Sequence, residues 1–526
     1  MNALSGEGKT NQIAIPAHNI VINAINSKSE ALFDETSMRF IKIAVSLSQE
    51  KDLKKLMNLI TNEAMQLTSS ARGTLYLVDR ERNKLIFYVT NQLSFNEITI
   101  PLTPESIAGY VGVMGETLVL DDVYELAEEL PYKFNKSFDE RTGFRTKSML
   151  VVPLSSHKNE IIGILQLINK EVDNKEIIGY NRTDLELINA VGSLAAVSIE
   201  NALLYKEIEN LFDAFVRYSA TAIDERDPCT GGHSRRVVLY SIGLAAALGT
   251  FSQAQIKEIK YASWLHDIGK IGVREAVLSK ENKLTNTQLE VVKCRLSMIC
   301  EMMQKDAYTQ ALQIMSNKSP GCEDNLVIQS LKDNVNKFKA EVEADYNYIV
   351  QINVPGFMTD EKIRRLESIH NKKYINSQGQ SFDFLTQFEY ENLMVIRGNL
   401  TNYERMEIES HVTKTYEILK HIPFTRELKN VPEFAGKHHE KLDGTGYPNQ
   451  ILAANIPVQV RIITIADIYD ALTAQDRPYK KAMPAEVALK ILKEEAAAGK
   501  LDKDLLDLFI AEEVYKLSDD PMALGE

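Results

Sequence analysis

The 526-residue chain has few cysteines, tryptophans and histidines: four, one and nine, respectively. The cysteines, at positions 229, 294, 300 and 322, show no Cys-x-x-Cys spacing. This pattern argues against a disulfide framework and predicts a reducing compartment. No run approaches the roughly 18 consecutive apolar residues of a membrane span, and residues 1–19 lack a signal-peptide pattern. We therefore expect a cytoplasmic protein without a membrane partner.

Acidic residues outnumber basic ones, 73 to 60, which gives a formal net charge of −13. Affinity for a nucleic-acid backbone comes mainly from clustered lysine and arginine, so neither DNA nor RNA is an expected partner. A small anionic ligand needs only a local basic cluster. The length suffices for two or three domains, each with its own core.

Five of the nine histidines belong to a set of seven residues at recognisable places in helical patterns or at loop edges. The set consists of His233, His266, Asp267, His411, His438, His439 and Asp467. Imidazole and carboxylate groups suit iron, manganese, zinc or nickel, and a carboxylate can bridge two ions about 3.5–4 Å apart. Such a pair activates water at neutral pH and neutralises phosphate oxygens. The set predicts a binuclear metal site for phosphodiester hydrolysis.

Two of these residue groups lie in distinctive sequence motifs. Residues 264–270 read Trp-Leu-His-Asp-Ile-Gly-Lys, although a His-Asp pair alone is more often a surface pair or a helix end. Residues 438–448 read His-His-Glu-Lys-Leu-Asp-Gly-Thr-Gly-Tyr-Pro, in which two glycines permit positive φ angles and Pro448 fixes the exit of the turn. A purely structural reason for this second string is hard to find.

Together these motifs resemble the HD-GYP family, bacterial phosphodiesterases that open cyclic dinucleotides, over about residues 205–515. The resemblance implies an all-α catalytic domain in which the seven residues are metal ligands, with Asp267 as the bridging carboxylate. It also implies that Lys270 reaches the scissile phosphate. Arg477 and Lys480 match the family's basic pair that binds substrate phosphates.

The implied reaction is hydrolysis of cyclic di-GMP to linear pGpG, GMP or both. The implied cofactors are two divalent ions, with iron or manganese favoured over zinc or nickel. Cys229 stands where some members carry a glutamate that recruits a third ion, which favours two ions. The loop 473–477 is one residue longer than usual, which shifts Arg477. The alternatives are another cyclic dinucleotide such as cyclic GMP-AMP, a nucleotide monophosphoester, or a receptor that binds without turnover.

Upstream, residues 1–34 show no clear hydrophobic periodicity, which predicts an N-terminal arm. Residues 35–183 alternate helical and strand periods, which predicts an α+β module with an antiparallel sheet. The sequence motifs at residues 106–111 and 139–148 resemble those of GAF domains that bind cyclic nucleotides. The resemblance implies a sensor domain with a cyclic nucleotide as candidate ligand. A ligand-free packing and dimerisation module is the alternative.

Residues 184–223 contain no proline and predict one helix of about 60 Å. Gly192 and polar core positions break a strict heptad, so a strong coiled coil is not expected. We nevertheless expect parallel pairing of this helix in a homodimer. The alternative is a helix that lies flat on its own domain.

The catalytic domain, 224–526, contains more chain than the family pattern needs. Residues 283–289 are echoed by residues 399–405, with Arg295 where the second copy has His411. Residues 297–398 are therefore predicted to be an insertion, mainly helical, with at least one long amphipathic helix.

Overall fold

The computed structural model describes residues 35–91, 94–172, 175–226, 232–317, 322–474 and 482–519. The chain divides into two compact units, Met1–Phe212 and Asp213–Glu526. The predicted arm, Cys229 and the phosphate-binding candidates Arg477 and Lys480 lie outside the described residues.

The first unit combines helices with one antiparallel sheet. Its helices, the last of which continues into the second unit, are α1 (Glu35–Gln49), α2 (Leu53–Thr68), α3 (Ile107–Met114), α4 (Ser137–Thr142) and α5 (Arg182–Asp224). Its strands are β1 (Ser70–Asp79), β2 (Lys84–Asn91), β3 (Ser94–Pro101), β4 (Leu118–Leu120), β5 (Met149–Ser155), β6 (Ile161–Glu171) and β7 (Ile177–Ile178). The predicted order of helices and hairpins is confirmed, although the sequence pattern missed β3.

The strand order is β3-β2-β1-β6-β5-β4, and β7 pairs with the end of β6. One face of the sheet packs against α2 and α5, through residues such as Ile60 and Ile199, and the other face packs against α3 through Val111. Helix α2 illustrates the local causes. Asp52 caps its start by accepting a hydrogen bond from the Lys55 amide at 2.9 Å.

Helix α5 extends two residues further at its start, and one at its end, than the predicted 184–223. Its inner face is buried in the first unit at Ile188, Val191, Ala195 and Ile199, so for that face the helix lies on its own domain, which was the alternative to pairing in a homodimer. By length and composition α5 could also cross a membrane, with a mean hydropathy of 1.5 in an 18-residue window that is 39% buried. Core helices of soluble proteins pass the same test.

The second unit is mainly helical. Its helices are α5's last turns, α6 (His233–Leu248), α7 (Gln253–Leu265), α8 (Glu275–Leu278), α9 (Asn286–Asn317), α10 (Cys322–Asn353), α11 (Asp360–His370), α12 (Gln387–Leu393), α13 (Asn402–Leu419), α14 (Val431–Ala435), α15 (Val458–Thr473), α16 (Ala485–Ala497) and α17 (Lys503–Ala511). Short 3₁₀ helices lie at Ile268–Gly272, Arg426–Leu428, Ala453–Asn455 and Val514–Asp519. Two small antiparallel pairs join β8 (Gly356–Phe357) to β11 (Arg397–Gly398), and β9 (Lys373–Ile375) to β10 (Ser381–Asp383).

The predicted insertion is mainly helical, but its limits differ from 297–398. Helix α9 runs without a break through position 297, and it shares one core with α10 to α12. That core includes Leu284, Val292 and Leu296, which precede the predicted boundary. The Asn399 side-chain amide donates to the Lys280 carbonyl, so the chain leaves and re-enters at adjoining points. The packed module is therefore 281–398, which we call the insertion module.

The similarity between residues 283–289 and 399–405 corresponds to two helices that begin in a similar way. Thr285 and Gln288 exchange hydrogen bonds at the start of α9, and Thr401 and Glu404 form a capping box at the start of α13. Arg295, where the second copy has a histidine, instead donates two hydrogen bonds to Glu389, at 2.6 and 2.7 Å.

Candidate metal centre

The structure brings all seven predicted donors together. His233 begins α6, His266 and Asp267 follow the end of α7, and His411 lies within α13. The other three come from the turn after α14 and from α15. Their ligand atoms form overlapping groups within 4.8 Å of one another: His411, His438 and His439; His233, His266 and Asp467; and His266, Asp267 and His438.

Hydrogen bonds at Nδ1 fix the orientation of four imidazoles. His266 donates from Nδ1 to the Ser263 carbonyl, and His438 to the Ala435 carbonyl, both at 2.7 Å. The Nδ1 of His411 contacts the carbonyl three residues earlier in the same way. Because a carbonyl oxygen can only accept, each of these three Nδ1 atoms carries the proton and each Nε2 presents a lone pair to the centre.

His233, the fourth, is oriented by a residue that sequence analysis did not single out. Its Nδ1 contacts the Asp470 carboxylate at 2.7 Å, and Arg236 Nε donates to the same carboxylate at 2.6 Å. Asp470 is fully buried, and burial acts to raise its pKa, but the hydrogen bonds from His233 and Arg236 outweigh burial and lower it. The signal available in the sequence was the placement of Asp470 one helical turn after Asp467.

Asp267 lies between the two groups of histidines. Its Oδ1 is 3.2 Å from His411 Nε2, and its Oδ2 is 3.8 Å from His233 Nε2. Lys270 Nζ approaches Oδ2 to 2.9 Å. Burial acts to raise the pKa of Asp267, but the positive charge of Lys270 and the neighbouring imidazoles of His266 and His411 outweigh burial, and the pKa lies well below its usual value. The carboxylate is therefore ionised and in reach of both groups.

Several nitrogen atoms of the site fit a cation. His233 Nε2 and His266 Nε2 are only 3.2 Å apart, and two lone pairs at that distance repel unless a proton or a metal ion lies between them. The Nε2 atoms of His411 and His438 are buried without a hydrogen-bond partner in the described part of the chain. Buried polar atoms are rarely left unpaired, so this donor set fits metal ions.

The pKa values of the imidazoles differ across the site. Burial lowers the pKa of His438 well below its usual value and that of His439 to about 4, so both are neutral and able to ligate at pH 7. Burial also acts to lower the pKa of His233, but contacts with Asp467 and Asp470 raise it to about 10. Metal binding at His233 would therefore displace a proton.

Backbone contacts hold the donor-bearing elements in place. The Thr415 hydroxyl donates to the His266 carbonyl at 2.9 Å and accepts from the Gly269 amide at 2.9 Å. Arg226 donates to the carbonyls of Lys270 at 3.1 Å and Val273 at 2.9 Å, which fixes the turn that carries Lys270. Sequence analysis assigned no role to Thr415 or Arg226, because both contact backbone groups that are remote in the sequence.

The Tyr447 ring lies beside one predicted ligand. It packs against the His439 ring at 4.8 Å between centroids. His439 is the most exposed of the seven donors, with 26% of its side chain accessible, so it marks the open side of the centre. The glycine-rich turn therefore forms one wall next to the donors.

Residues 52–199 match the GAF domain family, and residues 389–505 match the HD domain family. The HD match includes four of the seven donors: His411, His438, His439 and Asp467. The chain carries a GAF domain followed by an HD domain. In the HD domain, the donor set implies binding of divalent metal ions.

Two curated relatives are phosphodiesterases of Vibrio cholerae. The 3'3'-cGAMP-specific phosphodiesterase 3 is 47% identical over 98 residues, which cover 18% of this chain and 20% of that protein. The 3'3'-cGAMP-specific phosphodiesterase 1 is 36% identical over 130 residues, which cover 24% of this chain and 29% of that protein. The chain thus matches less than a third of the length of either relative.

Among solved structures, the GAF domain from an Acinetobacter phosphoenolpyruvate-protein phosphotransferase has a TM-score of 0.27 and is 13% identical. The match covers 34% of this chain and 99% of that one.

Proposed function

We propose that the protein is a phosphodiesterase that hydrolyses cyclic di-GMP to linear pGpG, GMP or both, under the control of its GAF domain. The observation that carries the proposal is the convergence of seven imidazole and carboxylate groups on one centre, with buried Nε2 atoms that lack a partner in the described chain. Divalent ions held there supply Lewis acidity toward phosphate oxygens and a nucleophile at neutral pH. A receptor without turnover has no need for so complete a donor set.

We further propose that the centre holds two ions, shared through Asp267. The grouping of donor atoms supports this number, because one group of three and a second group of three are linked by a third group that contains Asp267. Iron or manganese are the ions we propose for this centre, and zinc or nickel are the alternatives. The Irving–Williams order makes the ion found after purification a poor guide to the working one.

The chain's own residues would bind and orient the substrate. Lys270 is largely buried beside Asp267, and its ammonium can donate to a phosphate oxygen while Asp267 holds it in place. Arg477 and Lys480, outside the described residues, are proposed to bind the substrate phosphates. Asp470 would hold His233 in the tautomer that leaves Nε2 free.

Cyclic GMP-AMP is the second candidate substrate, because the matching Vibrio relatives are named for it. Protein purified anaerobically and reloaded with iron or manganese should be given each cyclic dinucleotide in turn, with products separated by chromatography. A higher kcat/KM for cyclic di-GMP supports the first proposal, and the reverse ranking supports the second. Tight binding without product would overturn both in favour of a receptor, and metal-stripped protein serves as the control.

For the GAF domain we propose a regulatory role with a cyclic nucleotide as candidate ligand, transmitted through α5 in a homodimer. A ligand can shift such a system only if it binds one of two arrangements more tightly than the other. A cyclic nucleotide that inhibits or activates hydrolysis is therefore expected also to change the dissociation constant of the dimer.

The insertion module should adjust turnover without supplying metal ligands. All seven donors lie outside 281–398, yet Lys280 joins the module to α13 by contacting Asn392 at 2.7 Å and Glu404 at 2.8 Å. We expect replacement of 281–398 by a short Gly/Ser linker between Lys280 and Asn399 to leave metal content intact and to change the rate severalfold.

The control is a variant in which residues 297–398, the boundaries predicted from the sequence, are deleted instead. This deletion leaves Leu284, Val292 and Leu296 without their core partners, so we expect the variant to aggregate. Elemental analysis, circular dichroism and hydrolysis rates measure the outcome. A folded 281–398 deletion that cannot hold metal would show that the module is part of the centre.

A further inference from the structure

Two charged residues at the end of α5 bond to the segments that carry donors of the metal centre. Asp224 is the last residue of this helix, and Arg226 lies two residues beyond it. Neither is one of the seven donors. Their partners belong to the start of α6 and to the 3₁₀ turn after α7, and all of these contacts lie within the second unit.

Asp224 caps the start of α6, of which His233 is the first residue. Gly232, which precedes His233, has no side chain with which to cap the helix. The buried carboxylate of Asp224 supplies the cap from another helix, because its oxygens accept from the Ser234 amide at 3.0 Å and the Ser234 hydroxyl at 2.8 Å. Amides in the first turn have no partner within their own helix. Asp224 therefore restrains the turn that presents His233 to the centre.

Arg226 restrains the segment on the other side of the centre. Its guanidinium donates to the carbonyl oxygens of Lys270, Ile271 and Val273, at 3.1, 2.7 and 2.9 Å. A guanidinium presents its donors in a fixed planar geometry, so three acceptors bonded to it are fixed relative to one another. The Lys270 amide in turn donates to the Asp267 carbonyl at 2.9 Å. Arg226 therefore holds the turn that carries both Asp267 and Lys270.

We infer that Asp224 and Arg226 are positioning residues of the metal centre, which hold the start of α6 and the turn after α7 at a fixed separation. His233 Nε2 and Asp267 Oδ2, one from each segment, are 3.8 Å apart. Metal–ligand distances vary by only about 0.2 Å, so a small shift of either segment costs affinity for the ion. The inference deepens the proposed metal-dependent function, on which it rests, by naming residues that act through the ligands.

Metal binding by the full-length protein tests the inference. Asp224→Ala and Arg226→Ala are made one at a time, and the dissociation constant for Mn²⁺ is measured by calorimetry on metal-stripped protein. We expect each variant to bind Mn²⁺ about tenfold more weakly or worse, the usual effect of removing a residue that orients metal ligands. Since this readout does not depend on hydrolysis, a protein that binds Mn²⁺ but leaves cyclic di-GMP intact would refute the proposed function and still test the inference.

Two variants of the same helix end serve as controls. Glu225→Ala removes the exposed side chain between the two positioning residues. Asp213→Ala removes the contacts of α5 with Tyr261 and with Lys260, the latter at 3.1 Å, which lie away from the donor-bearing turns. Both controls should keep the dissociation constant within about twofold, because neither side chain contacts a donor-bearing segment. A tenfold loss in either control would mean that any loosening of α5 weakens the centre, and would overturn the specific roles of Asp224 and Arg226.

Conservative variants keep the test decisive if an alanine variant does not fold. Asp224→Asn retains one oxygen that can accept from Ser234, and Arg226→Lys retains one charged group that can reach one carbonyl in place of three. Each should bind Mn²⁺ more weakly than the unaltered protein and more tightly than its alanine counterpart where that folds. Thermal unfolding without metal is measured in parallel. Unchanged Mn²⁺ affinity in every folded variant, with only a lower melting temperature, would show that these contacts stabilise the fold without positioning the ligands, and the inference would be wrong.

Discussion

Asp267→Ala is expected to abolish hydrolysis and to remove the bound metal. The Asp267 carboxylate contacts Lys270 and approaches histidines from both halves of the centre, so two ions bound there would share it. Without it, the remaining imidazoles face one another with less negative charge to offset two divalent ions. We expect at least a thousandfold fall in kcat/KM, on the order of 4 kcal/mol of transition-state stabilisation.

Elemental analysis after reloading with metal distinguishes a bridging from a terminal role for Asp267. A shared ligand serves both ions, so both should be lost, whereas loss of one ion would show that Asp267 binds only one. Asp507→Ala is the matched control, since it removes an exposed carboxylate from another helix of the same unit. That variant should keep its metal and its activity, and a comparable loss there would point to general destabilisation.

The motifs were enough to select seven residues that lie far apart in the sequence and that the structure brings close together. Four of the seven candidate donors stand in two distinctive motifs, residues 264–270 and 438–448, and histidine is rare in this chain. The GAF-like alternation of helices and strands was equally readable, because periods of 3.6 and 2 are local properties. What these signals share is that each lies within a dozen or so residues of sequence.

The residues that orient the ligands could not be predicted in this way. Asp470 contacts His233 across 237 positions, and Thr415 contacts the His266 carbonyl across 149. Sequence analysis assigned neither of them a role, because only the packing of α13 and α15 against the donor-bearing turns brings them to their partners. The one local signal was the position of Asp470, one helical turn after Asp467. The limits of the insertion module were missed for a related reason, because the helical period of α9 passes through position 297 unchanged.

Gly269→Ala should damage the centre as strongly as loss of a ligand, although Gly269 has no side chain to offer. A β-carbon at this position would lie 2.0 Å from the His411 carbonyl oxygen and 2.5 Å from the Thr415 amide nitrogen. Both are backbone atoms of α13, so neither can rotate away. The 3₁₀ turn that carries Lys270 and the helix that carries His411 would have to separate.

We therefore expect Gly269→Ala to destabilise the second unit by about 3 kcal/mol or more, at or above the upper end of the usual range for an overpacked core, and to lower its metal content. Gly356→Ala is the control, because its β-carbon would meet only the Val354 carbonyl, at 3.9 Å. Thermal unfolding and elemental analysis of both variants measure the difference. If Gly269→Ala unfolds at the temperature of the control and keeps its ions, the close approach of this turn to α13 does not hold the centre together. The donor geometry must then depend on the Nδ1 hydrogen bonds within each element.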